Sequence, residues 1–221
     1  MKRKNAVLCA LSVVVWATCA YAQVSYDDVA VIVNVNSASS QLVGNYFKAA
    51  RNIPAVNMIY VSADTVEEID SIGFNQLRAQ VEQHLVNNNL VNTINYLVTT
   101  KGVPLKVNRG NIGAMNSPSS SVESDLALIL GPYSSSIGAA GYVISPYFYQ
   151  QQHFSRAAYG IYLVTRLDAY TDQEAVDLID RSGPGVVVPS AAKFVLDQDP
   201  LWYDLLFLNE FMKQAKDTLV A

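Results

Sequence analysis

The chain has 221 residues, 51% of them hydrophobic, and a formal net charge of −4 at pH 7. Residues 1–22 carry three basic side chains and no acidic one, so their removal would leave 199 residues with a charge of −7. This length allows one sizeable core, and the acidic balance without a basic tract argues against nucleic acid or anionic lipid as a partner. Both cysteines, Cys9 and Cys19, lie in that first segment, which excludes a cysteine nucleophile, a thiolate metal site and a redox dithiol from the rest.

The first 22 residues have the features of a signal for export. Lys2, Arg3 and Lys4 precede an apolar run over residues 6–17, and Ala-Tyr-Ala at 20–22 supplies a small-x-small cleavage site. The run is too short to cross a bilayer, so we expect no integral membrane segment after cleavage. The sequence predicts a signal peptide at 1–22 and a protein that works in the periplasm, at the cell surface or outside the cell.

The remaining chain alternates between strand-like and helix-like patterns. Continuous apolar, β-branched runs predict strands at 29–33, 58–61, 94–98, 160–164 and 194–196. Apolar residues at helical spacing predict helices near 42–50, 74–85, 121–130, 172–179 and 205–219. Ser39 or Ser40 is expected to cap the first helix. Two further helices are expected to open with capping boxes, Ser120 with Glu123 and Thr171 with Glu174.

Strands that alternate with helices favour an α/β fold with a doubly wound, mainly parallel sheet, of the three-layer caspase-like or flavodoxin-like kind. We expect a single domain over residues 23–221, with the first, third and fourth strands in the middle of the sheet and the second at an edge. The chain stops on an apolar helical pattern, which predicts that it is truncated at the C-terminus. The alternative is that the last helix docks on the sheet and completes the fold.

Ligands of open parallel sheets bind beyond the carboxyl ends of the strands. Asn36 follows the first predicted strand, Lys101 the third, and Arg166 and Asp168 the fourth, while Asp125 lies in the helix that follows Lys101. Amides, hydroxyls and two cations at one end of the sheet predict a binding site for an anionic or sugar-like ligand. The alternative is that these residues serve turns and caps, and that Arg166 pairs with Asp168 or Asp125.

The sequence predicts no catalytic residue, no cofactor and no metal ligand. Glu123 and Asp125 have the spacing of an acid–base pair, but acidic residues in a first helical turn are also favoured by the helix dipole. His84 and His153 are isolated in the sequence, which argues against a metal site. Thirteen tyrosines, several of them between residues 133 and 162, are a weak indication of a carbohydrate or protein surface.

Five sequence blocks resemble, in the same order, a family of exported bacterial proteins found largely in genomes that carry the exosortase surface-sorting system. The blocks lie at 33–37, 49–54, 96–104, 121–126 and 164–168, and the resemblance spans about residues 28–200. The family has no established activity, so the resemblance implies export and an α/β fold rather than a reaction. Its members continue beyond this length, in keeping with the expected truncation.

A fainter resemblance is to the gingipain-type cysteine peptidases, which have a caspase-like sheet. It rests on Lys-Gly-Val-Pro at 101–104, the pair Ser124 and Asp125, and Ile-Asp-Arg at 179–181. It implies that Asp125 matches an acid that faces the substrate pocket of arginine-specific members, whose catalytic residues lie beyond the matched part. Two hypotheses follow: a non-catalytic module that binds a cell-surface component or protein, or the N-terminal part of a hydrolase with its catalytic residues beyond residue 221.

Overall fold

A computed structural model describes residues 25–110, 119–139, 143–183, 210–215 and 217. The chain divides into two compact units, Met1–Pro184 and Gly185–Ala221. In the second unit residues 210–215 and 217 are helical, within the helix predicted at 205–219. The predicted signal peptide and the predicted strand at 194–196 lie outside the described residues.

The first unit holds seven described strands and five described α-helices, with short 3₁₀ turns at Ala55–Asn57 and Ser134–Ser136. In chain order they are β1 (Val29–Asn34), α1 (Ala38–Arg51), β2 (Met58–Val61), β3 (Glu68–Asp70), α2 (Ser71–Asn87), β4 (Tyr96–Thr100), β5 (Lys106–Asn108), β6 (Ser120–Ser121), α3 (Val122–Leu126), α4 (Arg156–Tyr159), β7 (Leu163–Leu167) and α5 (Asp172–Arg181).

The main sheet has four parallel strands in the order β2-β1-β4-β7. This confirms the predicted doubly wound parallel architecture, and the order is the one with which flavodoxin-like sheets begin. The second predicted strand lies at an edge, as expected, but β7 forms the other edge of the described sheet instead of a middle position. It also begins three residues later than predicted, because Gly160 ends α4 in the left-handed conformation.

Helices cover both faces of this sheet. Along β1, Val31 and Val33 pack with α1 and α5, whereas Ile32 packs with α2 and α3 on the other face. β1 is buried at all six positions, which explains its unbroken apolar run. A β-carbon on Gly44 of α1 would lie 2.5 Å from Val33 Cγ2, so the absence of a side chain there allows the helix to pack closely on the strand.

A second, three-stranded sheet of order β3-β5-β6 was not predicted. Its strands have two or three residues each and are mostly polar, with only Ile69 and Val107 buried among them. Runs this short carry no alternation that distinguishes a strand from a loop.

Two predicted caps are wrong by a few residues, and one is confirmed. Ser37, not Ser39 or Ser40, caps α1, because the Ser40 hydroxyl accepts a hydrogen bond from the backbone of Asn34 and contacts Thr100 Oγ1. Ser121, not Ser120, caps α3, which ends at Leu126 instead of continuing to 130. The capping box of Thr171 and Glu174 is present at the start of α5.

Candidate functional site

A cleft of about 580 Å³ opens at the carboxyl ends of the main sheet. Segments that follow all four of its strands line this carboxyl-end cleft: Ser37 and Ser39 after β1, residues 65–67 after β2, residues 101–103 and Leu105 after β4, and residues 168–170 after β7. Because four separate segments converge here, the cleft is a product of the tertiary fold.

The cleft lies where the winding of the sheet changes direction. β1 and β4 are neighbours, yet the chain leaves β1 for α1 on one face and leaves β4 for α3 on the other face. Connections that diverge in this way leave a crevice between two adjacent strand ends, and α/β proteins bind ligands at this position.

Asn34, the last residue of β1, joins three of the lining segments and is fully buried. Its Nδ2 donates to the carbonyl oxygens of Asp64 at 3.2 Å and Gly102 at 2.9 Å. Its Oδ1 accepts from the backbone N–H groups of Asn36 at 3.1 Å and Ala63 at 3.2 Å. One buried amide thus satisfies four backbone groups and fixes the relative positions of the loops after β1, β2 and β4.

Lys101 holds the segment after β7 against the end of β4. Its Nζ donates to the carbonyl oxygens of Ala169 at 2.6 Å and Tyr170 at 3.3 Å. The same nitrogen lies 3.6 Å from Asp168 Oδ1. An ammonium group has three N–H donors. The ammonium group of Lys101 is therefore bound by atoms of the protein itself.

Asp168 and Tyr170 remain accessible in the cleft. Asp168 Oδ1 accepts from the backbone of Ala169 at 2.8 Å, and no described residue donates to Oδ2. The side chain of Asp168 is 34% exposed, and Tyr170 is 98% exposed. The cleft therefore offers ligands a carboxylate oxygen and an aromatic ring.

The charged residues that line the cleft are Glu67, Lys101 and Asp168, which give it one net negative charge. Val66 adds an apolar side chain that is 55% exposed. This combination disfavours an anionic ligand and suits a neutral one with both hydroxyl groups and an apolar face.

The structure places two of the five predicted binding residues, Lys101 and Asp168, in the cleft. Asn36 is exposed and is not among the lining residues; its Nδ2 donates to Ser62 Oγ at 3.1 Å and to the carbonyl of Ala63 at 3.0 Å. It therefore ties the loop after β1 to the loop after β2. This position supports the cleft from outside.

Arg166 is turned toward the segment that follows β4. Its two Nη atoms donate to the carbonyl oxygens of Val103 and Pro104, each at 2.7 Å. It also forms an ion pair with Glu123, which accepts a hydrogen bond from Thr99 Oγ1 at 2.8 Å. The alternative pairing of Arg166 with Asp168 or Asp125 is wrong, because Arg166 pairs with Glu123 instead.

Asp125 does not line the cleft. It forms an ion pair with Arg109, and both side chains are only 7% exposed. Ser120 Oγ also donates to the carboxylate of Asp125 at 2.7 Å. Asp125 and Arg166 therefore do not face each other across the cleft, and the two acids of α3 pair with different arginines.

Two residues that build the site, Asn34 and Tyr170, are not among the predicted binding residues. Asn34 lies at the very end of a buried strand, where a polar residue must find partners. Tyr170 stands between Asp168 and the capping box of Thr171. An aromatic residue between a strand end and a helix cap is the signal that would have identified it.

No helix in the described part of the chain has the length and apolar character needed to cross a membrane. The same residues include no group of three or more His, Cys, Asp or Glu side chains placed to hold a metal ion. Comparison with protein-family models, with curated proteins and with solved structures finds no match to this chain.

Proposed function

We propose that this chain is an exported, non-catalytic binding module whose carboxyl-end cleft holds a neutral, hydroxyl-rich ligand such as a cell-surface sugar. The observation that carries the proposal is that Asp168 and Tyr170 together line the cleft that opens at the change of winding in the sheet. Crevices at this position of parallel sheets are binding sites in many unrelated proteins.

The charges of the cleft favour a neutral sugar over an anion. Lys101 is engaged by two carbonyl oxygens and lies close to Asp168, while Glu67 adds a second carboxylate. An anionic ligand would therefore meet net negative charge, whereas a hydroxyl group can donate to a carboxylate oxygen.

Asp168 and Tyr170 supply complementary contacts for such a ligand. A carboxylate oxygen accepts from one or two sugar hydroxyls, and the ring of an exposed tyrosine packs on the apolar C–H face of a sugar ring. The two residues are separated by one position in the chain, and Lys101 bonds to the backbone between and beside them. The backbone that carries the pair is thus held in place before a ligand arrives.

Binding to an array of neutral oligosaccharides and of their uronic-acid counterparts tests this proposal. The mature protein is expected to bind neutral members, and Tyr170→Ala to weaken that binding about fivefold, because one aromatic contact contributes about 1 kcal/mol. Asp168→Asn is expected to weaken it as well, since an amide is a poorer acceptor than a carboxylate.

Tyr149→Ala is the matched control, because Tyr149 is 89% exposed and lies outside the lining of the cleft. It is expected to leave sugar binding unchanged. Equal effects of the two tyrosine substitutions, or binding restricted to the uronic acids, would contradict the proposal.

Export is tested by the mature N-terminus of the protein, which we expect at Gln23 in the exported fraction. Ala22→Tyr is expected to block processing, because a bulky residue replaces the small one that precedes the cleaved bond. Tyr21→Phe, at the unrestricted position of the same motif, is the control and should be processed normally. Exported protein that retains residues 1–22 would refute the expectation.

A further inference from the structure

A second cavity lies at the amino ends of β4 and β7, the end of the sheet opposite the carboxyl-end cleft. It has a volume of about 550 Å³, and Asn92, Pro132, Arg156 and Tyr159 are among the residues that line it. Asn92 precedes β4, while Arg156 and Tyr159 belong to α4, which precedes β7. This amino-end cavity has no part in the function proposed above.

Arg156 brings a buried positive charge to the amino-end cavity. The residue is only 5% exposed, and an arginine side chain stays protonated even when buried. Its Nη1 donates to Asn92 Oδ1 at 2.9 Å and its Nη2 to the carbonyl of Leu130 at 2.6 Å. Both acceptors are neutral.

The guanidinium of Arg156 is incompletely satisfied. The Nε atom of Arg156 is buried and has no hydrogen-bond partner. The Cζ atom lies 4.5 Å from the centre of the Tyr162 ring. None of the ion pairs formed by described residues includes Arg156. A buried cation without an opposite charge is unfavourable, so a negatively charged group beside Arg156 would be stabilising.

Backbone strain occurs at the same place. Leu130 has a φ of 53°, a left-handed conformation that is disfavoured for a leucine. Its carbonyl is the one that accepts from Arg156. Strain of this kind concentrates at ligand sites, where the surrounding structure maintains it.

We propose that the amino-end cavity binds a small organic monocarboxylate whose carboxylate group neutralises Arg156. One negative charge balances the single charge of the guanidinium, whereas a dianion would leave excess negative charge in a partly buried site. The cavity is larger than a carboxylate group, and Pro132 and Tyr159 provide apolar surface for the organic part of the ligand.

Nuclear magnetic resonance of the Arg156 Nε–H group during titration with benzoate tests this site on the mature protein. Benzoate is expected to shift that signal saturably, and the neutral analogue benzamide to leave it unchanged. Sulfate is expected to bind about tenfold or more weakly than benzoate. No saturable response to benzoate, or equal responses to benzoate and sulfate, would overturn the proposal.

Asn92→Asp supplies a second readout that preserves the shape of the site. Its carboxylate would pair internally with Arg156, so benzoate affinity is expected to fall about tenfold or more while the melting temperature stays equal or rises. Asn45→Asp, on the exposed face of α1, makes the same charge change elsewhere and should not alter binding. Benzoate affinity in Asn92→Asp equal to that of the unaltered protein would overturn the assignment.

Discussion

Asp125→Asn is expected to lower the free energy of unfolding by about 3 kcal/mol, because it removes one partner of a buried ion pair. The side chains of Asp125 and Arg109 are each 7% exposed. Water therefore cannot solvate the Arg109 cation in place of the lost carboxylate. The substitution keeps the size of the side chain, and the loss therefore reports the charge. Denaturant unfolding of the protein, followed by circular dichroism, measures this loss.

Asp168→Asn is the matched control for this experiment. Asp168 lies 3.6 Å from Lys101 and its side chain is 34% exposed, so the same substitution is expected to cost less than about 1 kcal/mol. Equal losses for the two variants would show that the pair of Asp125 and Arg109 contributes no more than a surface contact.

Gly102→Ala is expected to destabilise the protein by about 2–4 kcal/mol, from backbone strain and steric overlap together. Gly102 has a φ of 89°, and a β-carbon there would overlap Ser37 Oγ and lie 2.7 Å from Ser37 Cβ. Because Ser37 caps α1, the clash would displace both the helix start and the wall of the cleft. Thermal and denaturant unfolding give the magnitude.

Gly110→Ala separates the two causes. Gly110 also has a positive φ, 69°, but nothing lies within 4 Å of the position that its β-carbon would take. In this variant the free energy of unfolding is expected to fall by about 1 kcal/mol, from backbone strain alone. If Gly102→Ala costs no more than Gly110→Ala, the close approach of Ser37 has no energetic consequence.

The main sheet was predictable because its strands are buried and therefore apolar. β1 and β2 lie within one residue of their predicted positions, and β4 begins two residues later than predicted. The second sheet was not predictable, since each of its strands contributes at most one buried side chain. Such short strands form because of contacts with residues that are distant in the chain, so the local sequence pattern does not predict them.

The position of the cleft was predictable, but only part of its lining was. The cleft lies at the carboxyl ends of the parallel strands, and two of the predicted binding residues, Lys101 and Asp168, line it. The partner of Asp125 is Arg109, sixteen positions earlier in the chain. Nothing in local sequence distinguishes that pairing from one with Arg166, because the choice depends on how the segment after β4 folds back on α3.

Mapping of backbone amide shifts on the protein, titrated with the neutral oligosaccharide that binds best on the array, tests the central claim most directly. The account predicts saturable shifts at residues 101–103 and 168–170, which line the carboxyl-end cleft. The signal of Asn34, which lies behind those segments, should also shift, because its side chain donates a hydrogen bond to the carbonyl of Gly102. Shifts confined to other surfaces, such as residues 143–150, with residues 101–103 and 168–170 unchanged, would contradict the account.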